Sequence, residues 1–256
     1  LYAANALPQH ALAIINMTPA RNDLQRQHLT QLMAGSLLAL ADARTLLVGG
    51  HTSETDATSA GFAVTGTRAA APTPPRLEQD PVLLITKPVG TGVIMAGGMR
   101  LDAHGEWVTA ALDSMALGNG TAADILQPDN PMMTDVTGFG LARHALNLAE
   151  RCNFTGVEIT LSAVPLLPGA GILVEQGIRS SLHDANRAAV RLADDSRGNP
   201  IAELLFDPQT SGGLLAALPR VQAEAAVDRL QAGGQTAAII GRLTNAWTGL
   251  YPNRKD

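Results

Sequence analysis

Three glycine-bearing segments hold the residue types on which chemistry can be built, and each stands at the end of an apolar run. Gly49-Gly50-His51-Thr52-Ser53-Glu54 follows Thr45-Leu46-Leu47-Val48. Paired glycines let a backbone pass close to a ligand, and successive N–H groups can form an anion-binding nest. His51 and the hydroxyls add side-chain donors. The same Gly-Gly pair also reads as a plain turn ending a strand.

Met133-Thr134-Asp135-Val136-Thr137-Gly138-Phe139-Gly140 lies at a strand-to-helix junction. A lone carboxylate there either caps the following helix through its backbone N–H groups or serves as a hard oxygen ligand. Mg²⁺ takes only one or two protein carboxylates beside phosphates and water. His144, in the following helix, has no second His or acid three or four residues away and reads as a packed or solvent-facing histidine. In Phe206-Asp207-Pro208-Gln209-Thr210-Ser211-Gly212-Gly213, Asp-Pro and Gly-Gly signal a turn. That segment is either a tight turn into the next strand or a ligand-lining loop. Gly90-Thr91-Gly92 lacks the later glycines of a dinucleotide fingerprint, and no Walker A loop or HExxH is present.

The elements that must position these segments are legible from periodicity. Residues 11–16, Ala-Leu-Ala-Ile-Ile-Asn, form an apolar run expected to be a buried strand. Residues 22–43 read as a long helix, with Leu29, Leu32, Met33, Leu37 and Leu40 as a core-facing stripe. Strands are expected at 45–48 and 61–67, pairing into a sheet that meets a second copy of itself, because so small a layer needs a partner surface to complete a core. Pro72, Pro74 and Pro75 mark an extended connector. Beyond it, strands are expected at 82–86, 132–136, 157–161, 214–218 and 237–241. Helices are expected at 93–100, 106–117, 120–127, 139–151, 169–178, 182–194 and 220–232. Alternating strands and helices make this an α/β (α+β) protein.

Composition narrows the function. The chain has 256 residues, 46% hydrophobic and 16% charged, which suits a globular protein with a sizeable core. A net charge of −5 argues against nucleic acid, whose phosphates need a basic face. It leaves nucleotides open, since Mg²⁺ supplies positive charge locally. No run reaches the roughly 18 apolar residues of a membrane span, and no signal peptide is visible, so the cytoplasm is expected. The single cysteine, Cys152, follows a helix in Ala149-Glu150-Arg151-Cys152-Asn153 and reads as a packing residue rather than a nucleophile.

Taken together and in order, four motifs resemble the selenophosphate synthetase (selenide, water dikinase) family. They are Gly49-Gly50-His51-Thr52, the run from Thr86-Lys87-Pro88 to Gly92, the run from Thr134 to Leu141, and the run from Asp207 to Leu215. The strand Gly61-Phe62-Ala63-Val64-Thr65-Gly66 is also similar, and the resemblance runs from about Leu1 to about Leu243. It implies a two-domain fold like that of aminoimidazole ribonucleotide synthetase, with an N-terminal sheet-plus-helix layer that dimerises into a barrel. Residues 1–68 would be the incomplete N-terminal ATP-binding and dimerisation domain, 69–80 a linker and 81–256 the C-terminal α/β domain. It implies ATP, Mg²⁺ and selenide as inputs, selenophosphate, AMP and phosphate as products, and a homodimer with shared ATP sites. Asp135 falls on a family Mg²⁺ ligand, and Gly50, His51 and Thr52 fall on an ATP-contacting segment contributed across the dimer. Leu1-Tyr2-Ala3 resembles the segment just after a metal-binding Asp. The nucleophilic Cys or selenocysteine and its neighbouring Lys are therefore expected upstream of Leu1, and residues 1–256 alone are expected to be inactive. The competing readings are a kinase or synthetase of the same fold acting on another small molecule, and a non-catalytic nucleotide-binding homologue.

Overall fold

In a computed structural model, residues 1–68, 77, 81–192 and 199–253 are described here. The chain divides into two compact units, Leu1–Ala71 and Pro72–Asp256. The expected connector, 69–80, lies outside the described residues except for Leu77, which packs against the core of the second unit.

Among its described residues, the first unit is one α-helix on a three-stranded sheet, preceded by a 3-10 turn at Tyr2–Ala4. Strand β1 (Ala6–Met17) leads into helix α1 (Asn22–Asp42), then β2 (Leu46–Glu54) and β3 (Ser59–Arg68). The strand order is β2-β1-β3, with β2 parallel and β3 antiparallel to β1. The two strands expected to pair with each other therefore do not; β1 stands between them. The run 11–16, which reads as a buried strand, is part of the longer β1 and follows the two-residue alternation of a half-covered strand. Ala11, Ala13, Ile15 and Met17 are buried, whereas Leu12 and Ile14 are exposed. The helix covers the first set with Leu29, Leu32 and Met33. Leu37, expected on the same stripe, is exposed, because α1 reaches beyond the apolar patch it covers.

The second unit is a six-stranded sheet in the order β5-β7-β4-β8-β6-β9. Its strands are β4 (Pro81–Ile85), β5 (Met132–Asp135), β6 (Gly156–Thr160), β7 (Leu214–Pro219), β8 (Ala238–Thr244) and β9 (Gly249–Asn253). All neighbours are antiparallel except β6 and β9. The helices are α2 (Thr91–Arg100), α3 (Gly105–Ala116), α4 (Gly120–Leu126), α5 (Gly140–Arg151), α6 (Ala170–Glu175), α7 (His183–Ala188), α8 (Pro200–Glu203) and α9 (Arg220–Ala232). The helix expected over 182–194 is thus only six residues long.

Every residue of β4 is buried. Leu83 and Ile85 join a core with Leu141, Ala145 and Leu148 of α5 and with Phe206. Val82 and Leu84 point to the other face, where α9 lies against β4, β7 and β8. Helices α2, α3 and α6 build a smaller cluster around Ile94, Ala111 and Leu173. Among the described residues, no helix is long and apolar enough to cross a membrane.

Candidate functional site

The β5–α5 junction is tied down at almost every main-chain position. Val136 N–H donates to the Gly213 carbonyl at 2.9 Å, and Gln209 N–H and Gly140 N–H both donate to the Thr137 carbonyl, at 3.1 and 3.0 Å. The Asn186 amide donates to the carbonyls of Gly138 (2.8 Å) and Phe206 (3.0 Å). Gly140 has φ +76°, and a Cβ there would come within 2.9 Å of the Leu205 carbonyl oxygen, so glycine is required at the start of α5.

Thr137 N–H donates to Nε2 of His144 at 3.1 Å. That bond needs an unprotonated Nε2, so the imidazole is neutral with its proton on Nδ1. Burial holds the His144 pKa below the ordinary histidine value, against the opposing pull of the Asp135 carboxylate. His144 is thus a packed residue that fixes the turn.

Asp135 is different. It closes β5, its side chain is exposed, and among the described residues its carboxylate accepts no hydrogen bond. The capping alternative therefore has no bond to support it: the residue at the N-cap of α5 is Phe139, without a side-chain cap. A free carboxylate on a rigid turn fits a hard cation shared with phosphate oxygens, for which one protein carboxylate suffices. Among the described residues, no three His, Cys, Asp or Glu side chains gather into a set that would hold a metal by themselves.

The Asp207-to-Gly213 segment turns inward. Asp207 is 2% exposed, and its carboxylate accepts from Gly92 N–H at 3.0 Å and from the Gln209 amide at 3.0 Å. Gln209 Oε1 accepts from Gly90 N–H at 3.0 Å and Thr91 N–H at 3.3 Å. Together the two side chains satisfy the open N–H groups at the start of α2. Two motifs far apart in sequence are therefore one structural lock. Neither Gln209 nor this lock was foreseen; an Asp-x-Gln run matched to a distant Gly-Thr-Gly is the signal that was there to find.

Burial pushes the Asp207 carboxyl up to about 6, with the bonds from Val93, Gln209 and Gly92 and the nearby His183 pulling the other way. A carboxyl with a raised folded pKa binds its proton more tightly when folded, so its contribution favours folding below the unfolded value and is lost as pH rises through the folded one. The wild-type stability minus that of Asp207→Asn should fall by about 2 kcal/mol between pH 4 and pH 7. Urea unfolding across that range checks this, and a flat or rising difference refutes it.

In the first unit, Gly50, His51 and Thr52 are not a turn after a strand. They lie inside β2, paired with Ala13, Ile14 and Ile15 of β1. A Cβ on Gly50 would collide with the Ala13 carbonyl, so this glycine serves close strand contact rather than an anion nest. Strand alternation sends His51 and Thr52 to opposite faces. Thr52 lines a cavity of about 420 Å³ beside α1, with Arg26, Ser53 and Glu54. His51 is exposed on the other face, in register with Ile14. Asp135 belongs to the second unit.

Cys152 packs against the core below α5, and burial pushes its thiol up to about 11 despite the neighbouring Arg151. A thiol held protonated is no nucleophile.

Comparison with known proteins bears on this geometry. Residues 108–250 match the family of AIR synthase related proteins, C-terminal domain. The selenide, water dikinase of Bdellovibrio bacteriovorus is 32% identical over 257 aligned positions, covering 95% of this chain and 71% of the relative. That of Geobacter metallireducens is 36% identical over 232, covering 85% of this chain and 65% of the relative. Among solved structures, hydrogenase maturation protein HypE in complex with ATP superposes with a TM-score of 0.71 at 18% identity, covering 95% of this chain and 67% of that one. Thiamine monophosphate kinase from Aquifex aeolicus does so with a TM-score of 0.70 at 17% identity, covering 100% and 76%. The fold is that of the AIR synthase group, and by similarity spread over nearly its whole length the chain belongs to the selenide, water dikinase family.

Proposed function

We propose that the protein uses ATP to phosphorylate selenide, giving selenophosphate, AMP and phosphate. The observation that carries this reading is the similarity to selenide, water dikinases across 95% of the chain. The exposed, unbonded carboxylate of Asp135 on its anchored turn supports a role in holding Mg²⁺ against the nucleotide phosphates. Bound Mg²⁺ would neutralise charge on those phosphates. The turn's main-chain bonds keep Asp135 in place, and His144 stays neutral beneath it. ATP-driven chemistry on a reduced selenium species fits the cytoplasm. Phosphorus NMR of the full-length protein with ATP, Mg²⁺ and selenide should show selenophosphate and AMP appearing together. ADP as the sole nucleotide product, with no selenophosphate, overturns the assignment.

The proposal includes a homodimer with shared nucleotide sites. It is supported by the uncovered face of the first unit's sheet, where Leu12 and Ile14 are exposed, with Val48 of β2 also open. His51 stands on that same face in register with Ile14. In this reading its imidazole reaches a nucleotide held by the partner copy. Light scattering should find a dimer at micromolar concentration, and Ile14→Asp should convert it to a folded monomer. His51→Ala should weaken ATP binding about tenfold, the worth of one hydrogen bond to a charged group, without unfolding the protein. A monomeric wild type contradicts the shared site.

A further inference from the structure

Lys87 is among the largest of the fully buried side chains and is 2% exposed. Among the described residues no carboxylate pairs with it. Its ammonium instead donates to three main-chain carbonyls: Ser114 at 3.1 Å, Ser211 at 2.7 Å, and Leu117. Burying an ammonium is costly unless all its donors are met, and here three carbonyls meet the three N–H bonds. Burial draws its pKa down to about 8, so it remains charged at neutral pH.

Ser211 is the informative partner. It has φ +50°, a left-handed conformation uncommon for a residue with a side chain, and its carbonyl is turned onto Lys87. The next two residues are wedged between Lys87 and the β5–α5 junction. A Cβ on Gly213 would lie 2.6 Å from the Lys87 main-chain nitrogen and 2.9 Å from its Cβ, and one on Gly212 would collide with the Val136 carbonyl. The Asn119 amide adds a bond to the Gly212 carbonyl at 2.9 Å. The Gly213 carbonyl in turn holds Val136 N–H, and Leu214 pairs with Asp135 across the sheet. Among the described residues the Asp135 side chain accepts no hydrogen bond, so its aim is set through its peptide. That peptide is held by the turn that Lys87 grips.

We propose that Lys87 is a positioning residue for the Asp135 carboxylate, acting through the 211–213 turn. This rests on the reading of Asp135 as a metal ligand. The test is Mn²⁺ binding by EPR to the full-length protein with a non-hydrolysable ATP analogue, at a temperature where every variant is folded. Lys87→Met should weaken Mn²⁺ binding about tenfold or more, as loss of outer supports to a metal site does. Asn119→Ala should act in the same direction and more weakly. The double variant Lys87→Met/Asp135→Asn should bind no more weakly than Asp135→Asn alone, because two residues acting through one carboxylate are not additive. A residue that merely stabilised the fold would lower the melting temperature and leave the affinity of the folded protein unchanged.

Wild-type Mn²⁺ affinity in folded Lys87→Met, or additive losses in the double variant, overturns the proposal. Should Lys87→Met fail to fold, Asn119→Ala decides: weakened binding upholds the proposal and unchanged binding overturns it. Asp135→Asn separates the two claims. If it leaves Mn²⁺ affinity intact, the metal reading falls and takes this inference with it. If it weakens binding while Lys87→Met does not, only the positioning role is lost.

Discussion

Asp135→Asn in the full-length protein is expected to lower kcat/KM for ATP by roughly a hundredfold or more, beyond the tenfold-to-hundredfold cost of losing an outer support of a metal site. The substitution keeps the shape of the side chain and removes its charge. Nothing else in the fold should change, because among the described residues the carboxylate accepts no hydrogen bond and is exposed. The turn is held by Val136, Thr137 and Gly138 through their main-chain groups and by His144, all of which remain. The loss should therefore appear with an unchanged unfolding temperature and with a higher Mg²⁺ concentration needed for half-maximal rate. Steady-state kinetics over a Mg²⁺ series measures both. Turnover and Mg²⁺ dependence matching the wild type would remove Asp135 from the site.

Phe206→Ala should destabilise the second unit by about 4 kcal/mol, the usual cost of emptying a phenylalanine-sized space in a packed core. For a unit of this size that is a fall of roughly 10 °C in Tm. Phe206 has no exposed surface. His183 meets its ring edge-on at 6.2 Å, and the Arg187 guanidinium lies 4.9 Å from its centroid. Aromatics are only 3% of the residues, so large side chains to fill the gap are scarce. The core around it is built from Leu, Ala and Val, which interlock in their own positions. Its carbonyl also accepts from Asn186, which braces Gly138, so the cavity opens directly beneath the candidate site. Urea denaturation of the two proteins gives the number, and a loss under 1 kcal/mol would show that the region collapses to fill the hole.

Much of the second unit was legible because its periods are clean. The expected strand at 132–136 and helix at 139–151 correspond closely to β5 and α5, and Leu141, Ala145 and Leu148 are the buried face. Strand β9 was not foreseen: Gly-Leu-Tyr-Pro-Asn has little alternation and contains Pro252. It lies at the sheet edge, where a missing N–H is tolerated. In the first unit, glycines at 49 and 50 suggested a turn, whereas they allow β2 to pass close to β1 beside an irregularity at Ala11/Leu12. Local sequence cannot tell these apart, because the reason for the glycine sits on another strand. Lys87 shows the same limit more sharply. A lysine before a proline looks like an exposed strand end, and the carbonyls that surround it come from residues 27, 30 and 124 positions away.

The lock between the start of α2 and the Asp207–Gln209 segment spans 115 to 119 residues. A ribosome adds about 5–20 residues per second, so on the order of ten seconds separates synthesis of the helix start from synthesis of its partner side chains. Strand β4 waits equally long, since its neighbours β7 and β8 begin at Leu214 and Ala238. A nascent chain therefore carries this strongly apolar strand unpaired while everything between Ile85 and Leu214 is being made. Contacts this distant in sequence are slow to form, because the intervening chain must close first. That interval is the window in which a chaperone able to shield an extended Val-Leu-Leu-Ile segment has the most to protect.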